Sequence, residues 1–354
     1  MSFLVLSNGM IFEGTRIGAP VDRIGELVFT TGMEGYLETL TDPSYYGQIV
    51  TQTFPLIGNY GVIEEDFEGS SALFGYIVRD LCDTPSNFRS TAPLNDYLVK
   101  KGIPGLQGVD TREIVRITRE EGVMNAMICD EVPADLSALK AYRVEHAVDA
   151  VTEKQIEVFP AEGEEKYRVA LMDYGAKMNI LRSLQRRGCT VTAFPAETPA
   201  ETVLAMNPDG IMLSNGPGDP KENTFAIAQI RKMIGQKPVF GICLGHQLAA
   251  LALGGDTVKL KYGHRGGNQP VKSHETGRTH ITSQNHGYAV VADSLKGVGE
   301  ESFFNVNDGS NEGVNYPSLN CFTVQFHPEA ASGPRDTSYL FDRFLERMGG
   351  AVNA

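Results

Sequence analysis

The spacing of apolar residues changes character near the middle of the chain. Before residue 150, in stretches such as "LVLSNGMIFEG" and "RSTAPLNDYLVKKGIPGLQGVDTREIVRITREEG", short β-type runs are separated by Gly, Pro and Asn. A helical pattern follows at about Thr111 to Glu121. Residues 1–150 are therefore predicted to form a strand-rich domain with a few helices. The next segment, "VTEKQIEVFPAEGEEKY" (151–167), mixes charges without sustained periodicity and predicts a linker. Beyond it, strands and helices alternate: "YRVALMDYG", then the helix "KMNILRSLQRRG" closed by Gly188, then the strand "CTVTAFP". The alternation continues through "DGIMLSNGPGDP", "NTFAIAQIRKMIGQ", "KPVFGIC" and "GHQLAALALGG". Such βαβ units predict an α/β fold over residues 168–354, a doubly wound, mostly parallel sheet whose ligands bind beyond the carboxyl ends of the strands.

Composition excludes several classes of function. The 354 residues suit two cores, and 42% hydrophobic with 21% charged residues is ordinary for a soluble globular chain. A net charge of −13 disfavours nucleic acid, whose phosphates are held by clustered Lys and Arg. No apolar run reaches the roughly 18 residues that span a bilayer, and "MSFLVLSNG" lacks the marks of a signal peptide. Membrane attachment is thus not expected, and a cytoplasmic location is. Cys82, Cys129, Cys189, Cys243 and Cys321 are widely spaced and include no C-x-x-C pair, which fits reduced thiols and no zinc site.

One of these cysteines has an unusual setting. In "VFGICLGHQLAALALGG", Cys243 sits between Gly241 and Gly245 where an apolar strand runs into a helix. A sharp strand-to-helix turn strains its central residue, and small neighbours relieve the crowding, as in the G-x-S-x-G nucleophile elbow. The helix N-terminus beside the sulfur favours thiolate. Taken alone the motif fits either a nucleophile or a small buried thiol. The other four cysteines lack such a setting and read as core or surface thiols.

A nucleophile that releases an amine needs a proton carrier held by a third group. In "CFTVQFHPEAASGP", Phe322, Val324 and Phe326 alternate along a strand, His327 follows at its end, and Glu329 comes one proline later. That strand and the Cys243 strand are expected to end on the same edge of one sheet. His246, His264, His274, His280 and His286 show no comparable arrangement and no metal spacing, and read as structural or loop residues. In "SNGPGDP" (214–220), Gly216 and Gly218 flank a proline at a strand end, where free backbone N–H groups can meet an oxyanion. An ordinary Gly/Pro turn has the same composition.

Together and in this order, "SNGPGDP", "GICLGHQ" and "HPE" resemble the class I glutamine amidotransferase family over roughly residues 168–350. The first half, in "GMEGYLETLTDPSYYGQIVTQTFPLIGNYG" and "GLQGVDTREIVRITREEG", resembles the small subunits of carbamoyl-phosphate synthetases, as do "NFRSTAPLNDYL" and "KYGHRGGNQPV". The resemblance implies a β/β/α N-terminal domain that docks a large subunit. It makes Cys243 the nucleophile, His327 the acid–base and Glu329 its orienting partner, with an oxyanion hole from the N–H groups of Leu244 and Gly216. Glutamine contacts are implied at Gly216, Gly218, Leu244, Gln247, Asn285, Gly287 and Tyr288, with Ser44 reaching across from the first domain. The family usually has Phe where this chain has Tyr288, and "ASPGP" where it has "AASGPRD".

The implied activity is hydrolysis of L-glutamine through a cysteinyl thioester, with ammonia channelled to the large subunit for carbamoyl phosphate synthesis in arginine and pyrimidine biosynthesis. The chain has no Walker-type phosphate loop and is too short for two ATP-consuming domains. No cofactor or metal is therefore expected in this chain, while ATP, Mg and K ions are expected in the large subunit of a heterodimer. A stand-alone cysteine γ-glutamyl hydrolase would use the same nucleophile but leaves the first 150 residues without a purpose. A non-catalytic regulatory subunit would need none of Cys243, His327 and Glu329.

Overall fold

A computed structural model of the chain describes residues 1–350. The chain divides into two compact units, Met1–Ala147 and a second that starts at Val148. In the first, seven strands close into a barrel in the order Ser2–Leu6, Ile11–Gly18, Pro104–Gln107, Gly75–Ile77, Gln48–Gln52, Arg23–Thr30 and Met124–Cys129. Alternation along these strands sends Leu4, Leu6, Leu27, Ile49, Ile77 and Ile128 into one core, which Ile114 and Ile117 of the helix Thr111–Glu121 complete. Asp110 caps this helix by accepting the Glu113 N–H at 3.0 Å, and Gly122 ends it at φ 96°.

The second unit is built on a ten-stranded sheet. Five parallel strands lie in the order Cys189–Pro195, Tyr167–Asp173, Gly210–Leu213, Val239–Ile242 and Cys321–Val324. Period-two alternation feeds two separate cores. Ala170, Met172 and Leu213 pack with the helices Ala200–Ala205, Thr224–Met233 and Leu244–Ala252 on one face. Val169, Leu171 and Met212 pack with Met178–Gln185 and Tyr339–Met348 on the other. The sheet is therefore doubly wound, as the βαβ pattern predicts.

Two features were not signalled by that pattern. Beyond Cys321–Val324 the sheet continues antiparallel through Asn311–Tyr316, Glu300–Asn305, Thr257–Ser273 and Thr279–Val290. The segment 151–167, expected as a linker, places Glu157–Phe159 on the opposite edge, antiparallel to Cys189–Pro195. Gln185 Nε2 donates to the Pro160 carbonyl at 2.8 Å and holds that edge down. Among the described residues no helix is long and apolar enough to cross a membrane.

Candidate active site

The parallel strands Val239–Ile242 and Cys321–Val324 are neighbours, with Ile242 opposite Val324. Their carboxyl ends lie together, and the Cys243 N–H donates to the Val324 carbonyl at 2.8 Å. Cys243 then turns to φ 53°, ψ −104° before the helix Leu244–Ala252 begins. A non-glycine residue reaches positive φ only when its surroundings impose it. Here they do. The Gly245 N–H donates to the Ser214 carbonyl at 2.9 Å, drawing the helix start against the end of the adjacent strand. A Cβ on Gly245 would lie 2.4 Å from the Leu213 carbonyl oxygen, and one on Gly241 would lie 2.9 Å from Thr323 Cγ2. Both glycines are steric requirements of the turn.

His327 follows the second strand. Its N–H donates to the Ser283 carbonyl at 2.9 Å in an isolated bridge, which ties the ring's backbone to the strand Thr279–Val290. Nδ1 lies 2.6 Å from Glu329 Oε1, so this nitrogen carries the proton toward the carboxylate. Nε2 has no hydrogen-bond partner among the described residues. Burial opposes a charged ring, but the Glu329 carboxylate outweighs it and, with help from the nearby Cys243 thiol, raises the imidazole above its ordinary value. Burial also opposes the Glu329 carboxylate, yet Lys177 and His327 hold it below the usual range.

Lys177 is the main residue that motif reasoning missed. Its buried Nζ lies 3.2 Å from Glu329 Oε1 and donates to the carbonyls of Ala330 and Ala331 at 3.2 and 3.3 Å. Its N–H donates to Asn215 Oδ1 at 3.0 Å, which joins it to the Gly/Pro loop. Ala330 and Ala331 take φ 58° and 34°, turning their carbonyls onto the ammonium within the "AASGP" stretch. The available signal was position: Lys177 lies just past the carboxyl end of the strand Tyr167–Asp173.

The remaining expected residues are placed as follows. Gly216 packs so closely that a Cβ would lie 2.2 Å from the Tyr174 carbonyl oxygen, and Gly218 has φ 86°. The N–H groups of Gly216 and Leu244 donate to no acceptor among the described residues. The Asn285 carbonyl accepts from Cys243 Sγ at 3.7 Å. Gln247 Nε2 donates to the Tyr288 carbonyl at 2.9 Å, so this contact is made by backbone and is open to either Tyr or Phe. Gly287 neighbours both in the same strand. Ser44 lies in the first unit, in the 3-10 turn Pro43–Tyr45, with its N–H donating to Asp42 Oδ1 at 2.9 Å.

One group among the described residues has metal-compatible spacing, His264, His286 and Glu312, with donor atoms within 4.8 Å of one another. Linear spacing hides it because three strands contribute. Its ring nitrogens are already engaged: His264 with Asp308 and Glu312, His286 with the Tyr288 carbonyl and Gln284 Oε1. A metal would have to displace these bonds.

The site and sheet define a class, and comparison with known proteins agrees. Residues 170–347 match the family model for class-I glutamine amidotransferases. Residues 4–128 match the CPSase domain of the carbamoyl-phosphate synthase small chain. The chain is 50% identical to the carbamoyl phosphate synthase small chain of Listeria monocytogenes, covering 98% of this chain and 96% of that one. The corresponding protein of Bacillus thuringiensis is 50% identical over 97% and 94%, and that of Syntrophotalea carbinolica 47% over 98% and 97%. The chain belongs to the carbamoyl phosphate synthase small chain family.

Two predictions follow from this geometry. Gly245→Ala is expected to destabilise the protein by about 1–3 kcal/mol in denaturant titration through overpacking. Gly287→Ala, whose Cβ would meet only Arg265 Nη2 at 3.7 Å, should leave stability nearly unchanged; equal losses would refute the steric account. In an NMR titration of the His327 ring, Glu329→Gln removes the attracting charge and should lower its pKa. Lys177→Met removes a repelling one and should raise it, so shifts of the same sign would contradict the charge arrangement.

Proposed function

We propose that this chain is the glutaminase subunit of a glutamine-hydrolysing carbamoyl-phosphate synthetase. The observation that carries the reading is the meeting of Cys243, on its strained turn, with an imidazole whose Nδ1 is committed to Glu329 and whose Nε2 is unoccupied. The Cys243 thiolate, its proton held on His327 Nε2, attacks the side-chain carboxamide carbon of L-glutamine. The Leu244 and Gly216 N–H groups stabilise the oxyanion. His327 returns the proton to the departing nitrogen, ammonia leaves, and a γ-glutamyl thioester remains. Water then attacks the thioester carbon while His327 takes its proton, and glutamate leaves as the thiolate re-forms. Gly218, Gln247, Asn285, Gly287 and Tyr288 hold the substrate.

Ammonia in neutral water is mostly protonated and loses its nucleophilicity, so a glutaminase serving synthesis must pass it on under cover. The recipient is a large subunit, joined to this chain in a heterodimer that works in the cytoplasm, where ATP, Mg and K ions act in carbamoyl phosphate formation. Arginine and pyrimidine synthesis consume the product. Family membership across both halves supports this reading over a solitary hydrolase or a non-catalytic subunit.

Cys243→Ser tests the assignment. Glutamate release should fall by at least about a thousandfold, with the melting temperature close to wild type. In the complex with the large subunit, synthesis from added ammonia should persist. Glutamine hydrolysis near wild-type rate would remove Cys243 from the mechanism.

A further inference from the structure

Gln325 lies two residues before His327 and is wholly buried, yet it takes no part in the chemistry described above. Its N–H donates to the Glu312 carbonyl at 2.9 Å, and Phe326 beside it is driven into the core, edge-on to Phe303 at 5.4 Å. The side chain therefore projects away from that core on the His327 side of the strand. There Gln325 Oε1 accepts from Gln247 Nε2 at 2.9 Å. Its own Nε2 is buried with no partner among the described residues. An orphaned buried donor costs stability, and an apolar side chain of similar volume would avoid that cost. The amide is thus out of place as packing alone.

Counting protons shows what it secures. The Tyr288 carbonyl can only accept, so the Gln247 group facing it must be the –NH2 end. That end has two protons, one donated to Tyr288 and the other to Gln325. Gln247 is left with Oε1 alone to offer. It stands one helical turn beyond Cys243, with its N–H donating to the Cys243 carbonyl at 3.2 Å, and so faces the same side of the helix as the sulfur.

We propose that Gln325 is a positioning residue that, with the Tyr288 carbonyl, locks Gln247 as a pure acceptor for an N–H donor of bound L-glutamine. The proposal deepens the glutaminase reading and rests on it. Without the Gln325 oxygen, the Gln247 amide is held by the Tyr288 carbonyl alone, one of its N–H groups is left unpaired, and its Oε1 is aimed less firmly at the substrate. Binding suffers, while the Cys243–His327 chemistry does not.

The test is steady-state glutamine hydrolysis by the full chain carrying Gln325→Met, Gln325→Asn or Gln325→Glu, alone and in a Gln247→Leu background. Gln325→Met removes the acceptor at similar volume and should raise KM about tenfold, the factor of one hydrogen bond, with kcat within about twofold. Gln325→Asn withdraws the oxygen and should act in the same direction, giving a reading even where Gln325→Met does not fold. Gln325→Glu keeps an acceptor oxygen and should return KM to within about threefold of wild type. In the Gln247→Leu background the Gln325 substitutions should have no further effect on KM. A wild-type KM in a folded Gln325→Met or Gln325→Asn variant overturns the proposal, as does an undiminished penalty in the Gln247→Leu background. The two readings fail separately: hydrolysis surviving Cys243→Ser overturns the glutaminase mechanism. A normal KM in Gln325 variants of an enzyme that does need Cys243 overturns the positioning role.

Discussion

The approach of the Leu244–Ala252 helix to the strand ending at Leu213 constrains everything else in the second unit. Only a glycine at position 245 lets the backbones touch, because any Cβ there would enter the Leu213 peptide. This contact fixes where the helix starts, and the helix start fixes Cys243 in a strained positive-φ conformation, φ 53° and ψ −104°, that an isolated chain would leave at once. Strain of order 1–3 kcal/mol at one residue persists when surrounding packing over-determines it. Here two hydrophobic cores, one on each face of the sheet, supply that packing. The sulfur is consequently placed by the fold and not by its own rotamer preference.

The charges at the site obey a second constraint. Lys177, Glu329 and His327 are all buried, and burying each ion alone would cost several kcal/mol. They are tolerated because each meets an opposite charge or carbonyl oxygens: Nζ against Oε1 and two carbonyls, Oε1 against Nδ1. Such chains add little net stability, since desolvation consumes most of the Coulombic gain. What they fix is direction. With Nδ1 engaged, only Nε2 remains for proton transfer, and the ring cannot turn without breaking the shortest contact in the chain of charges.

The parts readable in the sequence are those governed by local rules. Strand and helix periods, the glycines of the Cys243 turn and the strand-end position of His327 all follow from nearest-neighbour sterics and period-two burial. Lys177 was not readable, because its partners lie about 150 residues away and no local pattern announces a buried ammonium. The antiparallel extension was missed for a similar reason. Thr257–Ser273 is irregular between Lys259 and His264 and between Gly266 and Gln269, where its register against Thr279–Val290 shifts, and this breaks the alternation that marks a strand. Edge pairing by Glu157–Phe159 escapes notice because an exposed edge strand needs no apolar face, and Glu157 and Val158 are both exposed.

These irregular strands do more than extend the sheet. The segment from Asn285 to Tyr288 faces the irregular stretch of Thr257–Ser273 and turns two carbonyls toward neighbouring side chains: Asn285 to the Cys243 thiol, Tyr288 to Gln247. Behind it, His286 is buried, its Nδ1 2.7 Å from the Tyr288 carbonyl and its Nε2 3.0 Å from Gln284 Oε1, and burial and the neighbouring His264 charge both push its pKa down. Backbone carbonyls held in this way are indifferent to the side chains that carry them. At position 288 the ring lies near Lys259, 5.8 Å from Nζ, while the carbonyl meets Gln247, so that contact is open to Tyr or Phe alike. The contacts this strand makes to the Cys243 thiol and the Gln247 amide are accordingly a property of backbone geometry.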